Sequence, residues 1–215
     1  MIVDCISDLH GYRPNLSGGD LLIIAGDLTA TDTASAYRDF AGWLRSLDYE
    51  TIIIVPGNHD GALGYSDLPW SDDSRVKFLC DSGVAIKGYQ VWGSPWTLAF
   101  PGQHPSAMAY ALDNHAEIDA RFELIPEGTN ILVTHAPPYG IRDCIEDSRG
   151  FPLNVGSQSL LKHVKRVCPE LHVYGHIHEG YGECPFKTHF VNASQVDKFY
   201  NHVNKPIRIH LCDIA

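Results

Sequence analysis

The sequence predicts a single α/β domain over residues 1–215, and two features of the chain carry that prediction. Short runs of apolar, often β-branched residues end in polar or glycine-containing turns, as strands covered on both faces do. Between such runs lie longer segments whose apolar residues recur at helical spacing. A chain of 215 residues is long enough for one substantial core and short for two.

The N-terminal part of the chain predicts the order strand, strand, helix, strand. The predicted strands are Ile2–Ser7, Leu21–Ala25 and Ile52–Val55. A helix is predicted between the second and third strands, with Thr31 and Asp32 as its caps. Its apolar positions are Tyr37, Phe40, Ala41, Leu44 and Leu47. This order predicts parallel pairing of the strands with right-handed crossovers.

Further strands and two more helices are predicted in the rest of the chain. The strands are Val76–Leu79, Val84–Ile86, Tyr89–Trp92, Ile131–Thr134, Leu171–Tyr174, His189–Asn192 and Ile207–Leu211. A helix is predicted from Ser106 to Phe122, where no Gly or Pro interrupts the segment, and another from its cap Ser157 to Pro169. The segment Ala136–Gly156, rich in Pro, Gly and charge, is predicted to be a functional or mobile loop.

The composition excludes several classes of protein. A formal net charge of −10 disfavours long contacts with nucleic acid, whose binding requires Lys and Arg on the phosphates. No apolar run is as long as a membrane span, and the first strand is too short and polar for a signal peptide, which predicts a cytoplasmic protein without a membrane segment. Six cysteines stand singly, without a C-x-x-C pair, and predict free, mostly buried thiols.

Five polar motifs each follow the end of a predicted strand. They are Asp8-Leu9-His10, Gly26-Asp27, Gly57-Asn58-His59-Asp60, Thr134-His135 and Gly175-His176-Ile177-His178. Ligands of α/β sheets bind beyond the carboxyl ends of the strands, so that loops distant in sequence can meet in one crevice there. Carboxylate, imidazole and carboxamide groups suit Mn²⁺, Fe²⁺ or Zn²⁺ better than a site built for soft metals. The motifs together predict a metal site at the C-terminal ends of the strands.

Taken singly, several of these motifs have a second interpretation. Asp8-Leu9-His10 is equally typical of a turn, and Gly26-Asp27 is a common end to a strand. A lone His135 is more often a buried, hydrogen-bonded histidine than a ligand. The third and fifth motifs are stronger, because several polar groups follow an apolar run without a break. The metal-site prediction depends on the combination.

In this order the five motifs resemble the calcineurin-like metallophosphoesterase superfamily, with its D-x-H, G-D, G-N-H-D/E, H and G-H-x-H pattern. Four further segments resemble a narrower group, the metallophosphoesterase-domain-containing or class III cyclic nucleotide phosphodiesterases. They are Gly93–Thr97, Leu124–Thr129, Thr134–Pro138 and Leu171–Gly182. The resemblance extends over nearly the whole chain.

The resemblance implies a four-layer α/β/β/α sandwich with two mixed β-sheets and two divalent metal ions. Mn²⁺ is the leading expectation, with Fe²⁺, Zn²⁺ and Ni²⁺ as alternatives. The implied ligands are Asp8, His10 and His178 for the first ion, Asn58, His135 and His176 for the second, and Asp27 as a bridge between them.

The expected function is hydrolysis of small phosphodiesters, with cyclic nucleotides foremost, by in-line attack of a hydroxide between the two ions. Protein phosphatases of the superfamily carry an arginine shortly after the G-D motif, whereas residues 26–31 contain none. A small, nucleotide-like phosphorylated substrate is therefore the expected partner. A nucleotide phosphomonoesterase and a weakly active nucleotide-binding regulator are the alternatives, and the oligomeric state is left open.

Four residues are candidates for work beyond metal binding. Asn58 and His59 are expected to contact the substrate, and His59 is expected to protonate the leaving alkoxide. Asp60 is expected either to orient His59 or raise its pKa by hydrogen bonding, or to be a plain turn residue. Trp96 is expected either to stack on a base in the pocket or to anchor its loop.

Overall fold

The computed structural model describes residues 1–63, 68–100 and 102–212. Fifteen strands and three α-helices lie in this part of the chain. The strands are β1 (Ile2–Ile6), β2 (Gly19–Ile24), β3 (Tyr49–Ile54), β4 (Val76–Phe78), β5 (Ser82–Ile86), β6 (Tyr89–Ser94), β7 (Thr97–Leu98), β8 (Ala111–Leu112), β9 (Ile131–Thr134), β10 (Cys144–Glu146), β11 (Pro152–Asn154), β12 (Leu171–Tyr174), β13 (Gly182–Pro185), β14 (His189–Asn192) and β15 (Ile207–His210). The helices are α1 (Ala34–Arg45), α2 (His115–Glu123) and α3 (Gln158–Val167).

Two mixed sheets form the centre of the fold. The first has the order β15-β1-β2-β3-β4, in which β1 to β4 are parallel and β15 is antiparallel to β1. The second has the order β13-β14-β12-β9-β6-β5, in which the four inner strands are parallel and both edge strands are antiparallel. The pairs β7–β8 and β10–β11 are small additional sheets. The predicted α/β class and the parallel pairing of the first strands are confirmed.

The two large sheets pack face to face and carry helices on their outer faces. Val3 and Ile23 of the first sheet share one buried cluster with Val133 of the second. On the opposite face of the first sheet, Phe40 of α1 belongs to a second cluster. On the opposite face of the second sheet, Phe122 of α2 belongs to a third. Because inner strands are covered on both faces, they are continuous apolar runs, and the layers are α/β/β/α as the resemblance implied.

Local hydrogen bonds decide where α1 and α3 begin. The cap of α1 is Thr33, whose hydroxyl accepts from the N–H of Ala36, and not the predicted Thr31 or Asp32. Ser157 caps α3 as predicted, by accepting from the N–H of Leu160. The chain leaves α3 through Cys168 at a left-handed φ of 50°, ahead of Pro169.

The helix predicted from Ser106 to Phe122 is half as long as expected. It begins at His115, because the Asn114 side chain accepts from the first free N–H groups of α2. The preceding residues are occupied by a short 3₁₀ turn and by β8, which pairs with β7. The segment Ala136–Gly156 contains the exposed hairpin β10–β11, which was not predicted.

The six cysteines are free, as predicted, but only Cys5 is buried, so the expectation of mostly buried thiols was wrong. None of the helices in residues 1–63, 68–100 and 102–212 is long and apolar enough to cross a membrane.

The contact between the two sheets at Gly93 generates a stability prediction. A Cβ at Gly93 would lie 2.4 Å from Leu79 Cβ and 2.7 Å from Val55 Cγ2. Gly93→Ala should therefore lower the free energy of unfolding by about 1–3 kcal/mol through overpacking. Gly42, exposed in α1 with open space around it, is the matched control. Gly42→Ala should raise the free energy of unfolding by about 0.5–1 kcal/mol. Urea unfolding measures both, and equal effects would contradict the account.

Candidate metal centre

The candidate ligands lie in loops at the C-terminal ends of β1, β2 and β3 of the first sheet and β9 and β12 of the second. They are Asp8 and His10 after β1, Asp27 after β2, Asn58 after β3, His135 after β9, and His176 and His178 after β12. Neither sheet provides the whole set. The cluster therefore forms only where the carboxyl edges of the two sheets come together.

Asp8, His10 and His178 form one group, with one possible ligand atom of each within 4.8 Å of the others. The Nε2 atom of His178 lies 3.5 Å from Asp8 Oδ1. The other ring nitrogen, Nδ1, donates a hydrogen bond to the carbonyl oxygen of Asp197 at 3.1 Å. With that bond on the outer nitrogen, the inner one would be directed at an ion, which would bind there in place of the proton.

Asn58, His135 and His176 form the other group. Asn58 Oδ1 lies 2.8 Å from His135 Nε2 and 2.9 Å from His176 Nδ1. The amide orientation is set by Asn58 Nδ2, which donates to the carbonyl oxygen of Ala107 at 3.0 Å. One hydrogen of the expected substrate-binding NH₂ group is therefore already used inside the protein.

The protonation of His135 tests whether this group fits a metal ion. Its Nδ1 lies 2.8 Å from the carbonyl oxygen of Ala25, which only accepts, so Nδ1 carries the hydrogen. In a neutral ring Nε2 is then a lone pair, facing the amide oxygen of Asn58 at 2.8 Å. Two acceptors at this distance need a proton or a cation between them. A divalent cation could bind both His135 Nε2 and Asn58 Oδ1.

Asp27 lies between the two groups. Its Oδ2 is 3.6 Å from His10 Nε2 and 3.5 Å from His135 Nε2, while Oδ1 accepts from the N–H of His59 at 2.9 Å. Asp8 and Asp27 also group with His135 as possible ligands. His10 Nε2 is buried without a hydrogen-bond partner among the described residues. An orphaned nitrogen beside a shared carboxylate is the environment that a metal ion completes.

Burial dominates the electrostatics of the cluster. It raises the pKa of Asp27 to about 7, with the charge of Asp8 adding to the effect. Burial lowers the pKa of His10 and of His176 to about 3. For Asp8 and His178 burial opposes ionisation, but their mutual attraction outweighs it, so that the pKa of Asp8 falls and that of His178 rises to about 9. Cations bound in the cluster would reduce the repulsion among its carboxylates and imidazole lone pairs.

The backbone at this cluster is held in an uncommon conformation. Asp8, His10, Asp27 and His176 have φ values of 51°, 41°, 56° and 65°. Non-glycine residues adopt this left-handed region rarely, at an energetic cost, and such residues cluster at functional sites. Four of the seven candidate ligands therefore have a backbone conformation that few residues of this chain adopt.

Glycines allow the motifs to approach one another. A Cβ at Gly57 would lie 2.2 Å from Asp27 Oδ1, and one at Gly175 would lie 2.0 Å from Asp8 Oδ2. In both cases the glycine of one motif touches the carboxylate of another. The G-N-H-D and G-H-x-H patterns thus need glycine for close packing of the loops.

The carboxylate of Asp60 is hydrogen-bonded to the backbone of two ligand loops. It accepts hydrogen bonds from the N–H groups of Gly57, Asp27 and Leu28 and from the hydroxyl of Tyr37. Among the described residues, no hydrogen bond joins Asp60 to the His59 side chain. The orienting role of Asp60 stays a prediction. Asp60 is a fully buried residue that joins the loop after β2 to the loop after β3.

A cavity of about 690 Å³ opens beside the cluster. His59 lines it together with Asp27 and Asn58, and the half-buried His59 ring stands edge-on to His10 at 5.1 Å between centroids. Apolar side chains form much of the wall, including Leu98, Phe100, Ile145, Val155 and Ile177.

Trp96 is not among the residues that line this cavity. Its Nε1 donates to Asp81 Oδ2 at 2.7 Å, and the Arg121 guanidinium lies 4.2 Å from its ring centroid. Of the two roles expected for Trp96, the structure supports the loop anchor. Lys198 and Tyr200 do line the cavity, although the sequence motifs did not point to them.

A family model described as calcineurin-like phosphoesterase matches residues 1–180 of this chain. The chain belongs to the calcineurin-like phosphoesterase family. It is 36% identical to metallophosphoesterase domain-containing protein 1 of Homo sapiens over 96% of this chain and 70% of that protein. It is 22% identical to a 3′,5′-cyclic-nucleotide phosphodiesterase of Nostoc sp. over 86% of this chain and 64% of that one. TT1561 of Thermus thermophilus has a similar fold, with a TM-score of 0.57 at 15% identity over 89% of this chain and 88% of that one.

Membership of this family makes the protein a metal-dependent phosphoester hydrolase. Calcineurin-like phosphoesterases use a dinuclear site for divalent metal ions, and the candidate residues of this chain are suited to one. Their substrates are small phosphorylated molecules or groups, which agrees with the expected partner.

Asp27 generates the first functional prediction, because it is the carboxylate that lies between both groups of candidate ligands. Asp27→Asn removes the charge, so both ions should bind more weakly. The affinity for each ion should fall by roughly 100-fold or more. This exceeds the effect of about 10–100-fold that is usual for a residue that only supports a metal ligand. Turnover should nearly vanish. Metal analysis and calorimetric titration with Mn²⁺ measure the binding.

The control is Asp39→Asn, which removes an exposed carboxylate of α1. It should bind both ions as the wild type does. If Asp27→Asn binds two ions tightly and is fully active, Asp27 does not bind both ions.

Proposed function

We propose that this protein is a phosphodiesterase for small organic diesters, with cyclic nucleotides as the favoured substrates. The observation that carries the proposal is the charge of the cavity beside the candidate metal centre. Of the described residues that line it, Lys198 is the only Lys or Arg. Asp27, Asp113 and Glu179 line the same cavity. Apart from its histidines, the wall therefore supplies little positive charge of its own.

The charge of the substrate distinguishes diesters from monoesters. A phosphomonoester carries nearly two negative charges at neutral pH, and sites specialised for it gain from an arginine or similar cationic clamp. A diester carries a single charge, which a dinuclear centre can neutralise by itself. The absence of arginine in residues 26–31 supports the diester for the same reason.

The size and wall of the cavity support a small organic substrate. A cavity of about 690 Å³ lies within the range usual for sites that bind small molecules. Its apolar wall is suited to a base or another flat organic group. The formal net charge of −10 disfavours a polynucleotide. Similarity to the Nostoc protein, named a cyclic-nucleotide phosphodiesterase, adds support for the substrate class.

Residues of the chain have separate tasks in the proposed reaction. When bound, two divalent ions, Mn²⁺ foremost, would neutralise the phosphate and activate water for in-line attack. Asp8, His10 and His178 would hold one ion, Asn58, His135 and His176 the other, and Asp27 both. Asn58 retains one amide hydrogen, beyond the one given to Ala107, that can reach the substrate.

His59 is the proposed general acid. Its N–H donates to Asp27 Oδ1, which fixes the backbone beside the candidate ligands, while the ring faces the cavity. An imidazole in this place can donate a proton to the leaving alkoxide, since the ordinary pKa of histidine lies near neutrality. The substrate contact and the proton transfer are thus assigned to the same ring.

Removal of the His59 ring should affect substrates unequally. His59→Ala should retain both metal ions but lower kcat by about 10²–10⁴-fold for alkyl leaving groups, which need a proton. The loss should be small for p-nitrophenyl diesters, whose leaving group departs without one. Steady-state kinetics on both substrates, with metal analysis of each preparation, make the comparison.

The control is His210→Ala, which removes an exposed imidazole from β15 and should behave as the wild type. Equal losses on good and poor leaving groups in His59→Ala would exclude the acid and leave a role in phosphate binding.

The substrate class is tested by direct comparison on one Mn²⁺-loaded preparation. We expect higher kcat/KM for 2′,3′- or 3′,5′-cyclic nucleotides than for the matching monophosphates, because the site has little cationic support beyond the ions. Long DNA should be hydrolysed poorly. Nucleotide products and inorganic phosphate are followed separately. If AMP or GMP is hydrolysed faster than every cyclic nucleotide, the protein is a monoesterase and not a diesterase. Lys198 would then supply the additional positive charge that a monoester needs.

A further inference from the structure

Two five-residue turns of this chain share one hydrogen-bond pattern. We call residues 147–151 the Asp147 turn and residues 197–201 the Asp197 turn. In each, the aspartate Oδ1 accepts from the N–H groups two and four residues later, at 2.8 and 3.0 Å in the first and 2.8 and 2.9 Å in the second. The aspartate carbonyl accepts from the third N–H, at 2.9 Å in both. The two turns are therefore built alike.

The turns differ at their fourth residue, which is left-handed in both. The Asp147 turn has Gly150 there, with a φ of 82°, and the Asp197 turn has Tyr200, with a φ of 62°. Glycine adopts this conformation freely, whereas a bulky side chain is a true outlier in it. Since the same turn closes with glycine, its geometry does not require tyrosine. The strained Tyr200 needs another reason.

The Tyr200 ring lies against two candidate metal ligands. Its centroid is 4.7 Å from that of His10 with an interplanar angle of 76°, and 5.1 Å from that of His178 at 88°. Edge-to-face contacts of this kind are attractive and fix the orientation of both rings. The same turn also accepts the Nδ1 hydrogen bond of His178 on the carbonyl of Asp197. His178 is thus held on two sides.

We propose that Tyr200 is a positioning residue, which holds His10 and His178 in the orientation needed to bind the same metal ion. The Asp197 turn provides the support for the ring, and the left-handed backbone at Tyr200 is retained for this contact. The turn lies beyond residues 1–180, which the family model matches. The inference rests on the proposed assignment of His10 and His178 as ligands.

A competing role follows from the position of Tyr200 at the cavity. Its side chain lines the cavity and is 52% exposed, so that it could act only as a wall for the substrate. The ring contacts favour positioning, because they are made with the two candidate ligands themselves. The two roles differ in what happens to metal affinity.

The test uses metal binding instead of ester hydrolysis, so that failure of the diesterase proposal leaves it unaffected. Tyr200→Gly removes the ring and suits the turn, and Tyr200→Asn is a second ringless variant that tolerates a left-handed φ. Calorimetric titration with Mn²⁺ should show affinity for one ion reduced by roughly 10–100-fold, and the other unchanged. The affected ion should be the one that His10→Ala also weakens. Tyr200→Phe, which keeps the ring, should bind both ions as the wild type does.

Thermal unfolding of the metal-free proteins separates positioning from simple structural support. Tyr200→Gly should melt close to the wild-type temperature, because relief of the left-handed backbone offsets the loss of the ring contacts. Gly150→Ala in the matching turn is the control: it should melt lower, with unchanged affinity for Mn²⁺. Wild-type affinity for both ions in Tyr200→Gly and Tyr200→Asn would overturn the proposal, whether or not KM rises. A large fall in the melting temperature of metal-free Tyr200→Gly, with equal loss of affinity for both ions, would overturn it in favour of structural support.

Discussion

At the junction of the two sheets, buried carboxylates and imidazoles face one another, and no Lys or Arg among the described residues forms an ion pair with Asp8 or Asp27. Asp27 Oδ2 lies close to nitrogens of both His10 and His135, and two acceptors of Asn58 and His135 face each other at 2.8 Å. Removal from water makes such an arrangement costly unless cations complete it. The glycines and left-handed residues of the motifs, and the fully buried Asp60, hold the loops in this unfavourable cluster.

The architecture gives this cluster its rigidity. β1, β2 and β3 deliver one set of loops and β9 and β12 the other, so that the relative position of the two sheets sets the distance between the candidate ligand groups. The apolar cluster between the sheets therefore influences the reaction by fixing the distance between the two ligand groups. Substitutions in that cluster, although distant from the phosphate, would be felt as small displacements of the ligands.

Regular strands and the candidate site were predictable from the sequence, and interactions that depend on tertiary packing were not. β9, β12 and β14 have the predicted bounds because each is a short run of mostly buried residues that stops at a polar residue or a glycine. The helix start at His115 was missed, since the cap Asn114 lies inside a segment without Gly or Pro. Asp60 was paired with its sequence neighbour His59, whereas its hydrogen bonds cross to the loop after β2. Tyr200 belongs to no motif, and only a comparison of two folded turns shows its strain.

Two divalent ions are expected to bind at this junction with Asp27 between them. A crystal structure of the Mn²⁺-loaded protein with anomalous difference density would show them. Two peaks about 3.5–4 Å apart are expected. One should be bound by Asp8, His10 and His178, the other by Asn58, His135 and His176, with the Asp27 carboxylate bonded to both. A single peak, or two peaks with Asp27 turned away from one of them, would contradict this expectation.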